Sequence, residues 1–149
     1  WTVVSCALGL LLLAGCGTTG GSSPGGITSG IVTAALSKQQ YATGDTISVT
    51  LGNGLASTIL AADHQSDCTV VVVEYLSQQT WQPRNLCQLK SPTRFVPVNA
   101  GATLTQQVHP PTAGGTTGWP SGTYRIAFTY RLSASGTDTT IYSAQFTIS

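Results

Sequence analysis

From Thr123 to Leu132 apolar and polar side chains alternate without a break, with Tyr124, Ile126, Phe128, Tyr130 and Leu132 on one face and Arg125, Ala127, Thr129 and Arg131 on the other. A period of two is the mark of a β-strand with one buried face. The same alternation places Ile47, Val49 and Leu51 inward and Thr46, Ser48 and Thr50 outward. In residues 68–76, Val71, Val73 and Tyr75 share one face and Val70, Val72 and Glu74 the other, a Val-rich pattern that predicts a central strand. Residues 140–148 close the series as a single strand with Tyr142, Ala144, Phe146 and Ile148 on one side, joined to the preceding strand through a Ser135-Gly136-Thr137-Asp138 hairpin loop. Further strands are expected at residues 31–37, 57–61, 80–86 and 102–108. Tyr41-Ala42-Thr43-Gly44-Asp45 and Asn53-Gly54 carry turn chemistry on either side of the Ile47 strand. No segment of helical length holds a 3.6 period, and no internal repeat is present. Short strands with turn signals between them predict an all-β, antiparallel sandwich of about seven to eight strands.

The first thirty residues follow a different pattern. An apolar run from Ala7 to Ala14 ends in Leu13-Ala14-Gly15-Cys16, which resembles the lipobox of a bacterial lipoprotein signal peptide. The run is too short to cross a bilayer core, which needs about 20 apolar residues. The resemblance implies cleavage after Gly15, a covalent lipid on Cys16, and a mature chain on the extracytoplasmic side of a cell membrane. Trp1 to Ser5 holds neither the Met nor the basic residues that open such leaders, and the leader, residues 1–15, is read as truncated at its start. Gly17 to Ser29, GTTGGSSPGGITS, has the composition of a flexible linker, with a root-mean-square span of about 20 Å. The organisation expected is therefore leader 1–15, lipidated cysteine and tether 16–29, and one domain over 30–149.

Charge narrows the partners. Only 7% of residues are charged and the formal net charge is +1, so there is no basic stripe to hold phosphates and nucleic acid is excluded as a partner class. Cysteine usage agrees with export. Cys6 leaves with the leader and Cys16 carries lipid, which leaves Cys68 and Cys87 as an even pair expected to form a disulfide. Closing a loop of about 20 residues stabilises a domain by about 3 kcal/mol in the chain-entropy account. A metal or redox role for the two thiols would want a C-x-x-C spacing or a histidine cluster, and neither is present.

Three local patterns sharpen the sandwich. Trp119-Pro120-Ser121-Gly122-Thr123-Tyr124, running into the strongest strand, resembles the tyrosine corner of immunoglobulin and fibronectin type III domains. Tyr41 to Asn53, YATGDTISVTLGN, resembles the opening strands of bacterial immunoglobulin-like domains, and Pro97 to Leu104 resembles the turn before a later strand of the same group, with Ala100 where proline is usual. Together these resemble a bacterial immunoglobulin-like domain over residues 31–149, akin in fold to the intracellular proteinase inhibitor family. The resemblance implies an immunoglobulin-like fold more than an activity. The antibody-type bridge between sheets is not implied, because neither Cys68 nor Cys87 lies in the strand that follows the corner.

Candidate chemistry is sparse. His64 and His109 are the two histidines, and neither accompanies a nucleophile motif. Asp63, His64 and Asp67 cluster in a loop that has the ligand types for a divalent cation but not the spacing of a known site, and a polar solvated loop is the expected reading. Asp45, Asp63, Asp67, Glu74 and Asp138 supply no paired-carboxylate pattern for glycoside hydrolysis. No catalytic residue, metal ligand or cofactor site beyond the lipid on Cys16 is assigned. Of the exposed aromatic candidates, Trp119 beside the corner is expected to be structural, whereas Trp81 and Arg84, in a polar stretch, are the candidate binding surface. The function expected is a lipid-anchored cell-surface module without catalysis that binds an envelope or extracellular protein or a glycan, or serves adhesion or structure. The alternative is a proteinase inhibitor that presents the loop Gln82 to Ser91, constrained through Cys87.

Overall fold

The computed structural model describes residues 27–63, 69–84, 94–113 and 115–149, and these form a β-sandwich without helix. One sheet has three antiparallel strands, β1 (Val32–Leu36), β3 (Ile47–Asn53) and β8 (Thr103–Val108), in the order β1-β3-β8. The larger sheet has eight: β2 (Gln40–Tyr41), β4 (Ile59–Ala62), β5 (Val71–Ser77), β6 (Thr80–Pro83), β7 (Phe95–Val98), β11 (Gly122–Arg131), β12 (Thr139–Tyr142) and β13 (Phe146–Ile148). A small hairpin of β9 (Thr112–Ala113) and β10 (Thr116–Thr117) stands apart. The all-β sandwich expected from the alternation is the fold observed. One pair departs from the antiparallel rule, since β2 runs parallel to β13 while the preceding β1 pairs with β3 in the other sheet. The chain between Leu36 and Gln40 thus passes from one sheet to the other.

β11 is the spine of the larger sheet. Its first half pairs with β5 on one side and β13 on the other, and its second half with β4 and β12. Its alternation is realised as read for Tyr124, Ile126 and Phe128, which are buried together with Ile47, Val49, Leu51, Val71 and Val73 in one core. Leu132 is a correction: β11 stops at Arg131, and Leu132 lies beyond the sheet at 62% exposure. The last strand is a second correction. Tyr124 faces Phe146 and Ala127 faces Tyr142, so three residues, 143–145, stand opposite the two residues Arg125 and Ile126. This is a β-bulge, which inserts one residue and reverses the phase of everything before it. Phe146 and Ile148 are buried as expected, but Tyr142 and Ala144 are exposed and Ser143 is buried in their place. Ser143 makes the bulge self-sufficient: its N–H donates to the Ile126 carbonyl, and its Oγ accepts from the Ile126 N–H at 2.9 Å.

Two joints hold the sandwich at its ends. At one, Tyr124 is fully buried and its hydroxyl donates to the Pro120 carbonyl four residues upstream, the geometry of the corner expected there. Trp119, 2% exposed, donates its indole N–H to the Asp45 carbonyl at 2.9 Å, and its backbone N–H bonds Thr43. The YATGD turn and the corner are therefore one structure, as the Asp45 carboxylate also accepts the Ala42 N–H at 3.1 Å and pairs with Lys38 at 3.2 Å. Gly122 is required here. Its φ of +153° is costly for other residues, and an added Cβ would meet the Tyr75 ring at 2.4 Å. At the other end, Asn53 is fully buried and donates to the carbonyls of Ser57, Val98 and Asn99 at 2.8–3.1 Å, while its Oδ1 accepts the Leu55 N–H. One amide thus ties the last turn of the small sheet to β7 of the large one.

Candidate binding surface

The outer face of the larger sheet is built by three strands that the chain visits far apart. On β11, Arg125 points away from the core, and register places it beside Glu74 of β5, to which its Nε donates at 2.6 Å. β5 continues into β6 through a two-residue turn, Gln78-Gln79, and the pairing of Leu76 with Trp81 sets the Trp81 indole on the same outer face. The guanidinium carbon of Arg125 lies 4.3 Å from the Trp81 ring centre and 3.7 Å from that of Tyr142. A cation stacked between two aromatic rings is attracted by the quadrupole of each. Glu74 and Arg125 remain only 18% and 20% exposed, whereas Tyr142 is 50% exposed. Val72, Leu76 and Pro83 alternate onto this face around the stack.

Tyr142 reaches this face only through the bulge. Without the extra residue it would point inward with Phe146, and Arg125 would have one ring instead of two. Of the two residues singled out from the sequence, the fold separates Trp81 from Arg84. Arg84 follows β6 on the core side of the sheet edge, where its N–H bonds the Val73 carbonyl and its guanidinium lies 4.6 Å from the Tyr75 ring centre. Trp81 is half-buried and shares its face with Glu74, Arg125 and Tyr142, none of which the sequence singled out for this role. Periodicity did place Glu74 and Arg125 outward, and that was the available signal. Trp119 is structural, as expected.

The other residues weighed from the sequence fall as follows. Asp63 is nearly buried and is held by Arg94, whose Nε and backbone N–H donate to its two carboxylate oxygens at 2.6 and 2.9 Å. His109 is exposed, with Nδ1 3.1 Å from the Thr46 hydroxyl. Among the described residues no group of three His, Cys, Asp or Glu side chains converges as metal ligands would. Cys16, Cys68, Cys87, His64 and Asp67 lie outside the described residues, as do residues 85–91 of the alternative inhibitory loop. Burial pushes the Tyr124 hydroxyl up to about 12, with Arg84 opposing and Tyr75 adding to the rise.

No protein-family model matches the chain, and no curated protein matches it either. Among solved structures it is similar to part of a mutant β-glucosidase from Listeria innocua in complex with laminaribiose, at a TM-score of 0.36 and 13% identity over 80% of this chain and 16% of that one. A β-glucosidase from Listeria innocua in complex with gluconolactone gives a TM-score of 0.35 and 13% identity over 79% of this chain and 16% of that one. The chain spans about a sixth of the length of those enzymes, and a likeness at this level carries no argument about activity. The class that fold and surface define is a β-sandwich module with an aromatic and cationic outer face.

Proposed function

We propose that this chain is a non-catalytic, immunoglobulin-like binding module, lipid-anchored through Cys16 on the extracytoplasmic side of a bacterial membrane, and that it engages an envelope or extracellular protein through the Trp81, Arg125 and Tyr142 face. The observation that carries the reading is the stack itself. Trp, Tyr and Arg are the residue types that dominate binding energy when water is excluded from a protein interface. Here all three meet on one sheet face, with Glu74 holding Arg125 in place and Val72, Leu76 and Pro83 around them. The surface is a sheet face and not a cleft, which suits a macromolecular partner better than a small substrate. On this reading Cys68 and Cys87 are joined, as suits an even pair of cysteines in an exported domain.

The test uses the chain without its first sixteen residues, fluorescently labelled and added to intact cells of the bacterium that makes it. Saturable binding should weaken at least about tenfold in the Trp81→Ala, Tyr142→Ala double variant, consistent with loss of two interface anchors. Pretreatment of the cells with protease should abolish it. Equal binding by a variant that melts normally would remove the proposed face. Binding sensitive to periodate and indifferent to protease would replace the protein partner by a glycan.

A further inference from the structure

Four large apolar side chains stand exposed among the described residues, and apart from Tyr142 they gather at one end of the sandwich: Ile27 at 40%, Ile31 at 51% and Leu132 at 62% exposure. Ile27 and Ile31 belong to the segment that leads into β1, and Leu132 follows β11, whose last residues pair with the start of β4 just after the Asn53 turn. The segment 27–31 is fastened to this end. The Gly30 N–H donates to the Gly54 carbonyl at 2.7 Å, the Gly54 N–H donates to the Ile31 carbonyl at 2.9 Å, and only glycine fits at position 54, because an added Cβ would stand 1.8 Å from the Thr28 carbonyl oxygen. A shallow groove between Ile27, Ser29, Leu55, Ala56 and Gly101 completes the surface. Across residues 27–31, 53–58, 99–102 and 132–138 the one charged group is Asp138, which is paired with Arg131.

We infer that this end of the sandwich rests on the lipid bilayer, with Ile27, Ile31 and Leu132 entering the interface between headgroups and acyl chains. The inference rests on the lipid anchor of the proposed function. Chain length selects the occupant: ten residues separate Cys16 from Ile27, so the two lie within about 40 Å of each other whatever path the chain takes. That is little more than the length of β11, ten residues or about 33 Å. With the corner end on the bilayer the tether would be drawn out to about four-fifths of its full length, against a mean span of about 20 Å, so a lipid on Cys16 favours this end over the corner end. Transfer of the three apolar side chains into the interface is favourable, and the lack of unpaired charge keeps the cost of leaving water low. The strands then stand upright on the membrane. The face that holds Trp81 and Tyr142 looks sideways along it, toward neighbouring envelope proteins.

The experiment takes the lipidated chain purified from bacterial membranes, reconstituted in vesicles of phosphatidylethanolamine with phosphatidylglycerol, and measures amide hydrogen exchange with lipid analysis of Cys16. Exchange at residues 27–31, 54–57 and 132–137 should slow about tenfold relative to the same domain cleaved from its tether, and an Ile27→Ser, Ile31→Ser, Leu132→Ser variant should stay on the vesicles yet lose the protection. A chain that carries its lipid but shows no protection there, or shows it at residues 42–46 and 115–121, overturns the docking and leaves the anchor standing. Absence of lipid on Cys16 overturns the anchor and the docking with it. Protection that follows protein concentration and not vesicles assigns this end to a second copy and overturns the lipid surface.

Discussion

Asn53 shows how much one side chain can carry. Its amide is fully buried and serves three carbonyls and one N–H, the Val98 carbonyl deep in the sandwich and the others nearer its rim. Replacement by alanine orphans those groups, and Asn53→Ala should cost about 2 to 4 kcal/mol in urea denaturation, with β7 the first strand to loosen. A loss below about 0.5 kcal/mol would show that the joint is dispensable. Tyr124 acts at the other end. Tyr124→Phe keeps the ring and drops the hydroxyl bond to Pro120, for an expected loss of about 0.5 to 1.5 kcal/mol at neutral pH. The same hydroxyl governs alkaline behaviour. Its folded value of about 12 lies above the ordinary 10, so the folded state holds the proton more tightly, and stability intact below pH 10 declines between pH 10 and 12. Denaturant melts across that range should therefore fall more steeply for the native chain than for Tyr124→Phe, and parallel curves would remove Tyr124 as the cause. The sequence showed the corner tyrosine because a short motif precedes a strong strand. It did not show Asn53 as a hub, since the three carbonyls it serves belong to residues up to 46 positions away.

At the scale of elements, the β5–β6 hairpin is joined by two residues with positive φ, Gln78 at 48° and Gln79 at 64°. Tight hairpin turns of this kind favour Asn-Gly, because other side chains crowd their own backbone there. Gln78→Asn with Gln79→Gly should stabilise the domain by about 1 kcal/mol and raise its melting temperature by about 3 °C. An unchanged or lowered melt would mean that the glutamines make compensating contacts. Strand existence was legible wherever alternation was long, as in β3, β5 and β11. It failed at β7, where no strand was expected and Pro97 was read as opening a turn. β7 lies at the sheet edge and pairs with β4 alone, so a missing N–H there breaks no second ladder. The phase of β12 was misread because a bulge leaves the composition of a strand untouched and alters only its count against the partner.

At the scale of the molecule, the reading of an exported domain meets its plainest check in the pair Cys68 and Cys87. Non-reducing mass spectrometry of the exported chain should show the two cysteine peptides linked. Reduction should lower the melting temperature by several degrees, in keeping with about 3 kcal/mol for a loop of this size. Two freely alkylated thiols in protein taken from the cell envelope would refute the bridge.

The amino-acid sequence alone determined the all-β class, the core faces of the long strands and the corner at Tyr124, because period-two patterning and turn chemistry are local and survive any arrangement of the strands. Only the tertiary structure decided that Trp81 and Arg84 part company, that Tyr142 turns outward to close on Arg125, and that Ile27, Ile31 and Leu132 share one end. Each of these depends on register between strands distant in the chain, and register is settled by a single inserted residue or one shared hydrogen bond that no local pattern records.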